Sequence, residues 1–142
     1  MSLNSFLIRT IFHILDNKRD KGLTSPENVS RVTDIPYGTI KKYQVLDVYR
    51  PADKSGGLPV VISVHGGAWV YGDKDRYQYY CMSLAKNGFA VVNFSYRLAP
   101  KFKYPAPLED TAAVFEWVHD NAGKYSFDIE NIFAVGDSAG AH

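Results

Sequence analysis

The chain has 142 residues, 46% of them hydrophobic and 22% charged, with a formal net charge of +1 at pH 7. This is the size and composition of one globular domain with a packed core. So balanced a charge offers no basic field to nucleic acid or to an acidic membrane surface. The single cysteine, Cys81, excludes an intrachain disulfide and fits a reducing, cytoplasmic setting. It lies in an apolar run and reads as a buried packing residue.

The first predicted element is an amphipathic helix. Leu7, Ile8, Ile11, Phe12, Ile14 and Leu15 recur at helical spacing, and Arg9 and His13 interrupt them. The run falls short of the roughly 18 apolar residues that a membrane span needs. It also has neither the basic flank nor the small-residue cleavage site of a secretory signal. Residues 1–27, this helix and a polar link, are set apart from a main unit at 28–142.

Val29 to Tyr37 and Tyr43 to Tyr49 read as strands rich in β-branched and aromatic residues, and the Tyr37-Gly38 turn between them predicts an antiparallel hairpin. After the Lys54-Ser55-Gly56-Gly57 loop the texture changes. Pro59 to Val64, Phe89 to Phe94 and Ile132 to Val135 are nearly continuous apolar runs, which suits strands covered on both faces. Helices are predicted over Arg76 to Asn87, closed by Gly88, and over Pro107 to Ala122, with Glu109 and Asp110 in its first turn. The alternation defines an α/β fold: a mostly parallel sheet flanked by helices, with an antiparallel N-terminal hairpin.

Chemistry is concentrated in two short motifs. Gly136-Asp137-Ser138-Ala139-Gly140 follows an apolar strand. A serine lifted above a sheet edge by a tight strand-to-helix turn needs neighbours without bulk on both sides. His65-Gly66-Gly67-Ala68-Trp69 follows another strand. Acyl transfer builds an oxyanion, and small residues let backbone N–H groups approach it closely. Either motif alone is weak, but a sequence of this composition carries both by chance only about once in 700.

These two motifs, together with Tyr96-Arg97-Leu98-Ala99-Pro100 and Tyr104-Pro105-Ala106-Pro107-Leu108-Glu109-Asp110, closely resemble the hormone-sensitive-lipase-like carboxylesterases of the α/β-hydrolase fold. The resemblance runs from about Val60 to the end of the chain. It implies Ser138 as nucleophile and the amides of Gly67, Ala68 and Ala139 as the oxyanion hole, with His65 and Gly66 supporting that loop. It also implies an N-terminal helix acting as cap, a small acyl ester as substrate and no cofactor, while no cysteine or histidine cluster has the spacing of metal ligands. Two positions depart from the family pattern: Ala68 stands at a usual third glycine, and Lys101 at a commoner glutamate.

A Ser–His–acid triad places the acid and then the histidine after the serine in this fold. Both are therefore expected C-terminal to Ser138, in a C-terminal half of the same domain, with residues 28–142 as its N-terminal half. Homodimer formation is compatible with the sequence. None of the histidines present fits as the base: His65 belongs to the oxyanion loop, His142 lies one turn past Ser138, and His13 and His119 sit on helices. Asp137 is expected to hold local backbone, Arg97 and Asp110 to pair, and Asp73-Lys74-Asp75 to be a solvated helix start. Aryl-formamide or peptide hydrolysis remains open within the same chemistry. Outside it, the alternatives are an inactive fragment and a non-catalytic hydrolase-fold binding protein.

Overall fold

The computed structural model describes residues 3–142, so the first two residues of the predicted N-terminal unit lie outside the described residues. The sheet grows from two apolar runs that form its parallel centre: β3 (Leu58–Val64) pairs with β4 (Ala90–Ser95). A third, β5 (Phe127–Gly136), lies parallel on the other side of β3. β1 (Val29–Pro36) and β2 (Val45–Pro51) join antiparallel beyond β4, which gives the order β1-β2-β4-β3-β5.

Alternation along these strands builds a core on each face. Leu46, Val48, Val60, Ile62, Val92 and Phe94 point to one side, where Val114 and Val118 of α3 (Ala106–Asp120) cover them. Tyr49, Val61 and Val91 point to the other, against Cys81, Met82 and Ala85 of α2 (Lys74–Lys86). Each aliphatic side chain so buried contributes about 1.5–3 kcal/mol. Cys81 is fully buried, and burial pushes its thiol pKa up to about 12, so it is an inert packing residue.

The two N-terminal strands pair as expected, but their connection is longer than a Tyr37-Gly38 turn. β1 ends at Pro36 and β2 begins at Val45, and the loop between them is organised by Gln44. Its Oε1 accepts from the Ile40 amide at 2.8 Å and its Nε2 donates to Asp110 at 2.7 Å. Asp110 is fully buried, and it also accepts from the Arg97 amide at 2.7 Å and from Arg97 Nε at 2.9 Å. The expected Arg97–Asp110 pair is therefore real, and Gln44 completes it. At the neighbouring departure from the family pattern, Lys101 Nζ donates to Tyr43 Oη at 3.0 Å.

β5 is longer than its apolar run. Pro59 faces Asp128, whereas the next residue of β3, Val60, faces Ile132, so residues 129–131 bulge out of the ladder. Asp128 holds the bulge by accepting from the Glu130 amide at 3.1 Å and from Asn131 Nδ2 at 2.8 Å. Those polar residues hide the first half of the strand from a reading of hydrophobic periodicity. The helix predicted over Pro107 to Ala122 runs Ala106–Asp120, and a short turn, α4 (Ala122–Tyr125), follows it.

α2 begins where Asp73 caps it, its carboxylate accepting from the Arg76 amide at 3.1 Å, and it ends where Gly88 takes a φ of +103°. Its start is not the solvated segment expected from Asp73-Lys74-Asp75. Lys74 is only 4% exposed and pairs with Asp34 at 2.9 Å, with Asp47 at 3.0 Å and with Asp75 at 3.0 Å. Asp47 of β2 is fully buried on the α2 face, so a cation must follow it inside.

α1 (Leu3–Asp20) is helical as predicted but docks through an unexpected face. Arg9 donates to the carbonyls of Val70 and Ala99 at 2.7 and 3.2 Å, Tyr71 donates to Asp16 at 2.9 Å, and Phe12 packs on the Tyr71 ring. Leu7, Ile11, Ile14 and Leu15 stay about half exposed. Arg9 and Asp16 bond to Val70, Ala99 and Tyr71, with Phe12 on the same side against the Tyr71 ring, and this is the face that docks. Among the described residues, no helix is long and apolar enough to cross a membrane.

Candidate active site

β3 and β5 end side by side, with Val64 opposite Gly136, and each then turns sharply into a motif loop. At the end of β5, Ser138 takes a φ of +48°, in the left-handed region that costs a non-glycine residue about 1–2 kcal/mol. The Gly140 amide donates to the Asp137 carbonyl at 2.7 Å and closes the turn. A short 3-10 turn, Ser138–Ala141, follows. A Cβ on Gly136 would collide with the carbonyl of Gly140, and one on Gly140 with the carbonyl of Val64. Both outer glycines of the motif are thus required by close backbone approach.

The loop after β3 winds through three consecutive residues of positive φ: Gly67 at +122°, Ala68 at +51° and Trp69 at +58°. The Val70 and Tyr71 amides donate to the Gly67 carbonyl at 3.1 and 3.0 Å, and the Ala99 amide donates to the Trp69 carbonyl at 2.9 Å. Among the described residues, the amides of Gly67 and Ala68 have no hydrogen-bond acceptor. The alanine at the usual third-glycine position therefore keeps the left-handed backbone.

His65 lies beneath this loop and is fully buried. Its Nδ1 is 2.7 Å from the Gly66 carbonyl, and its ring stacks on Tyr96, whose hydroxyl donates to the His65 carbonyl at 2.8 Å. Burial lowers its pKa below the ordinary 6.5, so the ring is neutral at physiological pH. It braces the loop from inside and is not part of the cavity wall. Gly72 makes room for it, since a Cβ there would strike the imidazole.

Ser138, Gly66 and Gly67 border one cavity of about 260 Å³, with Phe12, Asp16 and Arg19 of α1 on its far side. Ala139 borders a second, of about 210 Å³, between Trp69, Tyr96 and Leu108. Ala68 lines neither of the two. His142 packs edge-on against Trp69, their ring centroids 5.4 Å apart, and so borders the Ala139 cavity. His13 is exposed and is engaged with Asn17 and Arg76. His119 is exposed on α3. No group of three or more His, Cys, Asp or Glu among the described residues is arranged to hold a metal ion.

Two contributors are not singled out by the motifs. Tyr77 of α2 donates to Asp137 Oδ1 at 2.6 Å and accepts from the Gly66 amide at 3.1 Å. Burial and the adjacent carboxylate raise its pKa, so the hydroxyl remains a donor. Gly72 is the other. Its only sequence signal is a glycine shortly after the loop motif, and that of Tyr77 is lost among neighbouring tyrosines.

A strained serine at the end of β5, facing a glycine loop at the end of the neighbouring parallel strand β3, is the arrangement of an α/β-hydrolase. The chain belongs to the BD-FAE family, whose model matches residues 46–142. It is 35% identical over 114 residues to the versiconal hemiacetal acetate esterase of Dothistroma septosporum, a match covering 78% of this chain and 34% of that protein. It is 38% identical over 112 residues to carboxylesterase NlhH of Mycobacterium tuberculosis, covering 78% of this chain and 32% of that protein. Among solved structures it resembles an inhibited esterase B from Lactobacillus rhamnosis, with a TM-score of 0.87 and 32% identity over 94% of this chain and 44% of that one. The chain spans about a third of the length of these curated relatives.

Proposed function

We propose that the protein carrying this chain hydrolyses carboxylic esters through an acyl-enzyme on Ser138. The observation that carries the reading is the meeting of Ser138, on its left-handed elbow, with Gly66 and Gly67 across a single cavity. Membership of the BD-FAE family and the esterase names of the similar proteins support it. Ser138 Oγ attacks the ester carbonyl, and its proton passes to a histidine. We assign that histidine and its acid partner to sequence that follows Ser138. The amides of Gly67, Ala68 and Ala139 stabilise the oxyanion, the alcohol leaves with the proton that the histidine returns, and water, deprotonated by the same histidine, attacks the acyl-enzyme to release the acid and free Ser138. Losing one such donor costs roughly 10²–10³ in rate. α1 serves as a cap over the acyl cavity, which its Phe12, Asp16 and Arg19 border. A small acyl ester matches a cavity of about 260 Å³.

The test is turnover of p-nitrophenyl acetate and butyrate by the full-length protein and its Ser138→Ala variant. Saturable turnover that Ser138→Ala abolishes supports the reading. Equal turnover by both proteins contradicts it.

A further inference from the structure

We propose that Tyr77 is a positioning residue of this site, whose hydroxyl fixes the spacing between the nucleophile's elbow and the oxyanion loop. The inference rests on the esterase reading above. Ser138 and the loop stand on different strands, and the attack geometry depends on how far apart they are held. A displacement of about 1 Å can cost 100-fold in rate. Backbone pairing sets the ends of β3 and β5, with Val64 opposite Gly136, but Ser138 and the His65–Trp69 loop lie beyond the ladder. A further tie is needed there, and Tyr77 reaches both sides.

One oxygen makes both bonds. It accepts from the Gly66 amide at 3.1 Å and donates to Asp137 Oδ1 at 2.6 Å, and Asp137 is the residue before Ser138. The short bond to a carboxylate is charge-assisted, and so the stronger of the two. Gly66 permits the approach, because a Cβ there would come within 2.8 Å of Asp137 Oδ1. Tyr77 itself is carried by α2, whose Cys81, Met82 and Ala85 are packed into the core. The hydroxyl thus hangs from a rigid element and joins two loops that lack one.

The experiment uses the full-length protein with p-nitrophenyl butyrate, comparing wild type with Tyr77→Phe, Asp137→Ala, the double variant and Asp137→Asn. We expect Tyr77→Phe and Asp137→Ala each to lower kcat about tenfold with KM changed less than twofold. The double variant should fall no further than the worse single, as two ends of one interaction do. Asp137→Asn keeps an acceptor oxygen and should recover most of the rate lost in Asp137→Ala. The rate of Ser138 phosphonylation by a fluorophosphonate should fall by the same factor as kcat. An unchanged kcat in Tyr77→Phe, with Ser138→Ala inactive, overturns the role of Tyr77 and leaves the esterase reading standing. Should Tyr77→Phe fail to fold, full activity in Asp137→Ala overturns it equally. Activity that survives Ser138→Ala overturns the esterase reading, and this proposal with it.

Discussion

The ring of Tyr96 lies flat on that of His65, with centroids 4.0 Å apart and planes 7° from parallel, and its hydroxyl donates to the His65 carbonyl at 2.8 Å. The stack joins the end of β4 to the start of the His65–Trp69 loop. Tyr96→Phe keeps the stack and removes one buried hydrogen bond, so it should cost about 1 kcal/mol. Tyr96→Ala should cost about 3–5 kcal/mol. Urea midpoints of the two variants measure both.

His65 adds a pH dependence to that stability. Burial lowers its folded-state pKa, while the unfolded chain takes up its proton near the ordinary 6.5. The unfolded state therefore binds more protons below that value. The contribution of His65 is complete above about pH 6.5 and is lost as pH falls from there toward its lower folded-state value. Urea midpoints at pH 7.5, 6.5 and 5.5 should fall more steeply for wild type than for His65→Gln. Parallel slopes would contradict this.

Backbone strain at the elbow separates stability from activity. Ser138 holds a φ of +48°, and Ala68 one of +51°. Ser138→Gly should be more stable than Ser138→Ala by about 1 kcal/mol, because only glycine relieves the left-handed conformation. Ala68→Gly should gain up to about 1 kcal/mol in the same way. Thermal melts of the three variants read the differences.

The Gly140 position admits no side chain, since a Cβ would meet the carbonyl of Val64. Gly140→Ala should destabilise the fold by about 1–3 kcal/mol, as overpacking does, and push the elbow away from β3. Gly66→Ala has its tightest contact, 2.8 Å, with the end of the Asp137 side chain and a looser one, 3.1 Å, with the Asp137 carbonyl, and should lower activity more than stability. Parallel activity and denaturation measurements distinguish them.

Lys74 is a buried cation in the fold. Its ammonium balances the fully buried Asp47 and lies among three carboxylates. Lys74→Met leaves Asp47 with only the longer Arg31 pair, at 3.4 Å, and should cost up to about 3 kcal/mol. Lys74→Met combined with Asp47→Leu should recover much of it. Guanidinium denaturation of the single and double variants tests the coupling.

What the sequence made legible follows the physics of each signal. Runs such as Val60 to Ile62 and Ala90 to Val92 are apolar on both faces, and that alone places them at the centre of a sheet. The elbow and the loop were legible because tight backbone turns demand glycine, which is rare enough to mark a motif. The first half of β5 was hidden, because its bulge is built from Asp128, Glu130 and Asn131. The burial of Lys74 was hidden too, since a lysine between two aspartates reads as solvated until Asp47 is seen beneath it. The docking face of α1 is set by bonds from Arg9 and Tyr71 to distant partners, which periodicity does not encode. Tyr77 joins groups 11 and 60 residues away, and no local pattern announces such a contact.

The role of Ser138 as nucleophile is tested most directly by peptide mapping of the full-length protein after reaction with a fluorophosphonate. A nucleophilic Ser138 requires one adduct per protein molecule, located on Ser138, together with loss of ester hydrolysis. An adduct on another residue, or none while the protein still hydrolyses esters, would contradict it.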